Sequence, residues 1–255
     1  KEKEEEEEEE GDECPICLEI LPKDTTKFHL FTCCGKGMHL HCANDLMSME
    51  VGRYCPFCRA KSPSSDEERL KQLRPWVKKK KAWAQEMMAS KYYHGGEGVK
   101  QSYEMARMLY ELAAQQGDAT AMCSLGVMYE HGLGVEQSYE KAFEYYEQAA
   151  DLGHANGQKS LGVMYSNGLG VEQSYEKAIE YYEQAAHLGY ADAQYNLGFL
   201  YATGQGVTKD ELKAKEWWTA SAAQGDEKAI KSLKILEKEM KKNLRQRTQK
   251  RINTK

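Results

Sequence analysis

The sequence predicts two unlike folded parts: a small metal-stapled domain near the N-terminus, then an all-α solenoid of helical hairpins. Three observations carry this. Seven of the eight cysteines fall between positions 14 and 58. From about position 84 the chain repeats itself every 36 residues, a length that suits one helix-turn-helix unit of a stacked array. Within each period the apolar residues recur at helical rather than strand spacing.

At 255 residues and 41% hydrophobic content, the chain has material for one or two cores. No stretch approaches the roughly 20 apolar residues of a membrane span, and mean hydropathy is -0.76, so no membrane partner is expected. Residues 1–13 hold two lysines against ten acidic groups, with Glu4 to Glu10 unbroken. Such a run repels itself and buries nothing, so 1–13 is expected to be a disordered acidic tail. The net charge of -5 therefore conceals a mildly basic body.

Residues 14–60 form the first folded element. Cys14 and Cys17, and Cys55 and Cys58, are each separated by two residues, Cys33 and Cys34 are adjacent, and Cys42 has His39 and His41 close by. Short cysteine pairs ahead of a long uncrosslinked remainder point to metal rather than disulfides. Zinc takes four tetrahedral ligands from thiolate and imidazole, and a short loop supplies two at a time. His39 or His41 completes the pair with Cys42, and His39 reproduces the two-residue gap of the other knuckles. Cys14, Cys17, Cys33, Cys34, His39, Cys42, Cys55 and Cys58 then serve two zinc ions. His29 and His41 are read as surface or supporting groups.

The pattern Cys14-Pro-Ile-Cys17, Cys33-Cys34-Gly, His39-x-x-Cys42, Cys55-Pro-Phe-Cys58-Arg59 resembles the RING finger. That resemblance implies a small zinc-stabilised, cross-braced domain: Cys14, Cys17, His39 and Cys42 on one ion, Cys33, Cys34, Cys55 and Cys58 on the other. It also implies a ubiquitin-protein ligase, which holds a ubiquitin-loaded conjugating enzyme without a covalent intermediate. Ile16, Leu46 or Met47, and Pro56 would form the apolar platform for that enzyme. Arg59 would bridge enzyme and ubiquitin, a role suited to its fork of five donors. The ligand order is shared with the PHD finger, a reader of histone tails; Pro15, Pro56 and Arg59 favour RING. The adjacent Cys33 and Cys34, and Lys36 where the common RING has histidine, depart from the pattern. The competing function is a non-catalytic, zinc-binding interaction scaffold.

Residues 61–83 read as a linker and lead-in helix. Ser62-Pro-Ser-Ser-Asp66 is a helix-start signal with Ser65 or Asp66 as the cap, and the helix is expected to run on despite Pro75.

The repeats follow. A shift of 36 superposes Tyr93, Tyr129, Tyr165 and Tyr201, then Gly96, Gly132, Gly168 and Gly204, then Gly98, Gly134, Gly170 and Gly206. In one unit, Ala121, Leu125, Met128 and Tyr129 mark a first helix ending near Glu130. Tyr139, Ala142, Phe143, Tyr146 and Ala149 mark a second, closed by Gly153 as a left-handed cap. Gly126, Gly162 and Gly198 sit inside first helices, where glycine costs about 1 kcal/mol relative to alanine; close helix packing is the expected reason. The motif Leu-Gly-x-x-Tyr, Gly-x-Gly-Val, Ala-x-x-Tyr-Tyr-x-x-Ala-Ala-x-x-Gly resembles the Sel-1-like repeat, with four units over 84–226 and Ser90 replacing the first helix glycine. The resemblance implies scaffolding without catalysis. A capping helix over 227–241 and a basic tail over 242–255 complete the chain.

Met87, Cys123, Lys159 and Tyr195 occupy one equivalent position and share no chemistry. This variation is taken to mark an exposed, partner-binding face, with Glu86, Met122, Gln158 and Gln194 as a second row. Cys123 is read as a bystander thiol. Nucleic acid is not an expected partner. Lys78 to Lys81 and the stretch from Lys241 to Lys255 are basic but lack interleaved aromatics apart from Trp76 and Trp83. The expected partners are a ubiquitin-conjugating enzyme, ubiquitin, and a protein substrate chosen by the repeats. Reduced thiols place the protein in the cytoplasm or nucleus.

Overall fold

The computed structural model describes residues 28–31, 36–39, 63–96 and 98–253. The acidic tail and, apart from His39, every predicted zinc ligand lie outside these residues, as do Ile16, Leu46, Pro56 and Arg59. The chain divides into two compact units, Lys1–Gln137 and Ser138–Lys255.

In the first unit, β1 (Phe28–Phe31) and β2 (Lys36–His39) pair antiparallel, with Phe28 opposite His39 and His29 opposite Met38. Met38 is fully buried. Sequence periodicity does not reveal this hairpin, because four-residue strands are too short to establish an alternation.

Helix α1 (Asp66–Lys78) starts where Ser65 Oγ accepts from the Glu68 N–H at 3.2 Å, while the Glu68 carboxylate reaches back to the Ser64 N–H at 2.8 Å. This settles the cap on Ser65, and the reciprocal pairing satisfies donors that a helix start leaves orphaned. Pro75 lies inside the last turn without ending the helix. The turn into α2 (Ala82–His94) runs through Lys80 at φ 57, with Lys80 N–H on Val77 O and Lys81 N–H on Trp76 O. Those two bonds make the Schellman ending that usually takes glycine. Leu70 and Leu73 of α1 and Ala84 and Met88 of α2 are the buried centre of this region, with Trp76, Trp83, Met87 and Leu109 around them. Then come α3 (Tyr103–Ala114), packed on α2, and α4 (Ala119–His131), packed on α3.

The second unit continues with α5 (Tyr139–Asp151), α6 (Ala155–Asn167), α7 (Tyr175–His187), α8 (Ala191–Thr203), α9 (Glu211–Ala223) and α10 (Glu227–Asn253), each packed on the next. Its core joins Tyr165, Ala178, Tyr182, Ala185, Ala193, Leu197, Tyr201, Ala214 and Trp218.

The repeated residues have separate jobs. Ser102, Ser138 and Ser174 each cap a second helix by accepting from the N–H three residues on; Asp210 does so in the last. Gly132, Gly168 and Gly204 end first helices in the left-handed region. Gln101, Gln137 and Gln173 donate their side-chain amides to the carbonyls of Tyr93, Glu130 and Ser166, tying each linker to its first helix. The helix glycines make room for the next ring: a Cβ on Gly162 would sit 2.5 Å from Tyr182 Cδ1, and one on Gly198 would run into the Trp218 indole.

The expected boundary at 241 is not observed. Helix α10 runs unbroken to Asn253, so the predicted basic tail is helical almost throughout. The reason is compositional: from Glu227 to Lys255 there is no glycine or proline, and long straight-chain residues dominate. In register, Lys234 stands where Gly162 and Gly198 stand, and Met240 where Gly168 and Gly204 end their helices.

Candidate functional site

The predicted partner row is not an exposed face. Cys123 is 7% exposed, and Met87, Lys159 and Tyr195 are half-buried. In the second row Met122, Gln158 and Gln194 are buried and Glu86 is half-buried. Tyr195 shows why. Trp218 donates its indole N–H to the Tyr195 carbonyl at 3.0 Å, the two rings stack at 6.4 Å, and Lys228 Nζ lies 6.0 Å from the centre of the Tyr195 ring. Tyr195 thus faces the helices that follow it. Gln194 likewise accepts from Gln224 Nε2 at 2.9 Å and donates to Ala186 O at 3.2 Å.

The open side of the first helices lies four positions further on. Val127, Val163, Phe199 and Ile235 occupy one repeat position; Val127 and Val163 are half-buried, Phe199 is 45% exposed and Ile235 is 60% exposed. In the second unit this side holds a cavity of about 410 Å³ lined by Val163, Ser166 and Asn167 of α6, Tyr182 of α7, and Asn196 and Phe199 of α8. Tyr182 Oη lies 3.4 Å from Ser166 Oγ and is hydrogen-bonded to Asn196 as well. Burial pushes the phenol up to about 12, so it stays neutral and polar at the cavity wall. Every lining residue is uncharged. The second helices contrast sharply: Glu140, Lys141, Glu144, Glu176, Lys177 and Glu180 are all exposed.

A second polar group occupies the first unit. Gln85 is buried and accepts from Gln116 Nε2 at 2.6 Å. Beside it Glu86 is pushed up to about 8, first by burial and then by the charge of Asp118. Asp118 caps α4 by accepting from the Ala121 N–H at 2.8 Å.

For zinc, the predicted donor set of seven thiols and one imidazole has the soft nitrogen and sulfur chemistry that Zn²⁺ takes. Of these groups the described residues include only His39, at the end of β2. Among the described residues no cluster of three histidine, cysteine or carboxylate groups could hold a metal, and no helix is long and apolar enough to cross a membrane.

The Sel1 repeat family profile matches residues 84–118, 119–154, 155–190 and 191–226, and the chain belongs to that family of helical-hairpin repeat proteins. These limits agree with the four units read from the 36-residue period. The chain is 32% identical to a Sel1 repeat protein from Oxalobacter formigenes, with a TM-score of 0.60 over 66% of this chain and 69% of that one. It is 29% identical to c5321, a protective antigen of uropathogenic Escherichia coli strains with an SLR fold. That match has a TM-score of 0.63 over 77% of this chain, which spans 43% of the antigen. No curated protein matches the sequence.

Proposed function

We propose that the chain is a protein-interaction scaffold: the Sel1 array holds a protein partner, and the N-terminal cysteines bind zinc in a second interaction module. The observation that carries this is the division of residues within the array. Repeated glycines, tyrosines and alanines are consumed by helix packing, while the open side of the first helices presents Phe199 and Ile235 largely exposed. Apolar side chains left open in this way mark contact surface. Cross-linking mass spectrometry on the full chain recovered from cells tests the reading. Partner cross-links to α4–α9 are the expected result; cross-links confined to residues 14–60 would sink it.

A finer reading makes that module a ubiquitin-protein ligase finger. It is supported by the knuckle spacing, by Pro15 and Pro56, and by Arg59 directly after the last ligand. In this reading the finger recruits a ubiquitin-loaded conjugating enzyme through Ile16, Leu46, Pro56 and Arg59, and the array chooses the substrate. Self-ubiquitination in vitro that Ile16→Ala or Arg59→Ala abolishes at unchanged zinc content is the expected result. Full activity in both variants overturns the roles given to Ile16 and Arg59, and no activity in the wild-type chain returns the finger to a binding role alone.

A further inference from the structure

We infer that the cavity between α6, α7 and α8 binds an uncharged, extended segment of a partner polypeptide, with an apolar side chain seated against Val163 and Phe199. This deepens the scaffold reading and rests on it. The cavity is far larger than a single water or ion needs and suits a few residues of chain: about 410 Å³ is more than ten times the roughly 30 Å³ that a water claims. Its chemistry narrows the occupant further. The lining offers three amides, three hydroxyls and three aromatic rings, with neither a cation nor a carboxylate. A charged ligand would lose its hydration here without gaining an opposite charge. A peptide main chain presents neutral donors and acceptors in alternation, and carboxamides such as Asn167 and Asn196 match both.

The polar groups are already held in place. Ser166 Oγ donates to Val163 O at 2.9 Å, Asn167 Nδ2 donates to the same carbonyl at 2.9 Å, and Tyr182 Oη is fixed between Ser166 and Asn196. Asn167 therefore keeps its carbonyl oxygen as an acceptor for a main-chain N–H. A preorganised site of this kind spends little entropy on binding. Elongation of the occupant follows from Ile235, which continues the apolar row one repeat beyond Phe199 and is more exposed than either neighbour.

The test uses the full chain and a phage-displayed library of short random peptides. Peptides enriched on the wild-type chain are synthesised, and their Kd is measured by fluorescence anisotropy. The expected peptides carry an apolar residue within an uncharged core. Their Kd rises about tenfold in Phe199→Asp and several-fold in Asn196→Ala, and changes less than about twofold between 0.05 and 0.5 M NaCl. Circular dichroism confirms that both variants keep their helices; should Phe199→Asp lose them, Phe199→Ala replaces it. Enriched peptides that are charged, or that bind both variants as well as wild type, overturn the groove but leave the scaffold reading standing. Dimerisation in solution that Phe199→Asp abolishes identifies a second copy as the occupant and also overturns it. A library with no enriched peptide, together with no array cross-links in cells, removes both readings.

Discussion

Tyr182 and Gly162 share one space: a Cβ on the glycine would lie 2.5 Å from the tyrosine ring. The ring can therefore approach α6 only because that helix lacks a side chain there. This contact joins the second helix of one hairpin to its first, and Gly198 with Trp218 repeats it one unit on.

Gly162→Ala is expected to destabilise the array by about 2–3 kcal/mol, since overpacking of this kind costs more than alanine's better helix propensity returns. Tyr182→Leu in the same chain should recover much of the loss. Urea unfolding followed by circular dichroism measures both; additive losses in the double variant would show that the two residues do not compete for the space.

At the α1–α2 turn, Lys80 adopts φ 57 without being glycine. Side chains pay about 1 kcal/mol there, so Lys80→Gly should raise stability by up to that amount and Tm by about 2–4 °C. A fall in Tm by differential scanning fluorimetry would mean that the lysine side chain contributes more than its backbone costs.

Glu86 sets a pH dependence. Its folded-state pKa is raised from 4.5 to about 8, so the folded chain holds a proton that the unfolded chain releases above pH 4.5. Stability from this group is complete below pH 4.5 and is lost progressively as pH rises towards 8. Glu86→Gln should remove that decline and raise Tm at pH 8 while leaving pH 4 nearly unchanged. Parallel Tm profiles for the two proteins from pH 4 to 9 would contradict it.

Zinc analysis of the purified full chain should give about two ions. Chelation should release them and unfold the N-terminal module while helical ellipticity from α1–α10 persists, because metal binding is coupled to folding only where the ligands are. A metal-free chain with seven titratable cysteine thiols in residues 14–58 would refute the zinc reading.

Much of the array is legible in the sequence because its constraints are steric. A notch for Tyr182 admits only glycine, and a left-handed helix end favours it, so Gly162 and Gly168 recur without exception at their positions in the later repeats. The partner face was misplaced for a physical reason. Variation at Tyr195 signals freedom only where a residue has no neighbour, and here Trp218 and Lys228 pack against it. Exposure of Phe199, four residues away, depends on which side of the helix the neighbours cover, which the period alone leaves open. The helical continuation past residue 241 was hidden by its charge: a basic run reads as a solvated tail, yet lysine and arginine are good helix formers.

Lys234 and Met240 give the array a direction of growth. With a long side chain in the notch and no left-handed residue to stop the helix, α10 offers no socket for another hairpin of the same kind. Duplication of a 36-residue segment upstream of Glu227 would lengthen the array without disturbing α10, whereas one copied after it would find nothing to grip. Any gain or loss of repeats among relatives of this chain should therefore fall upstream of Glu227, leaving α10 in place.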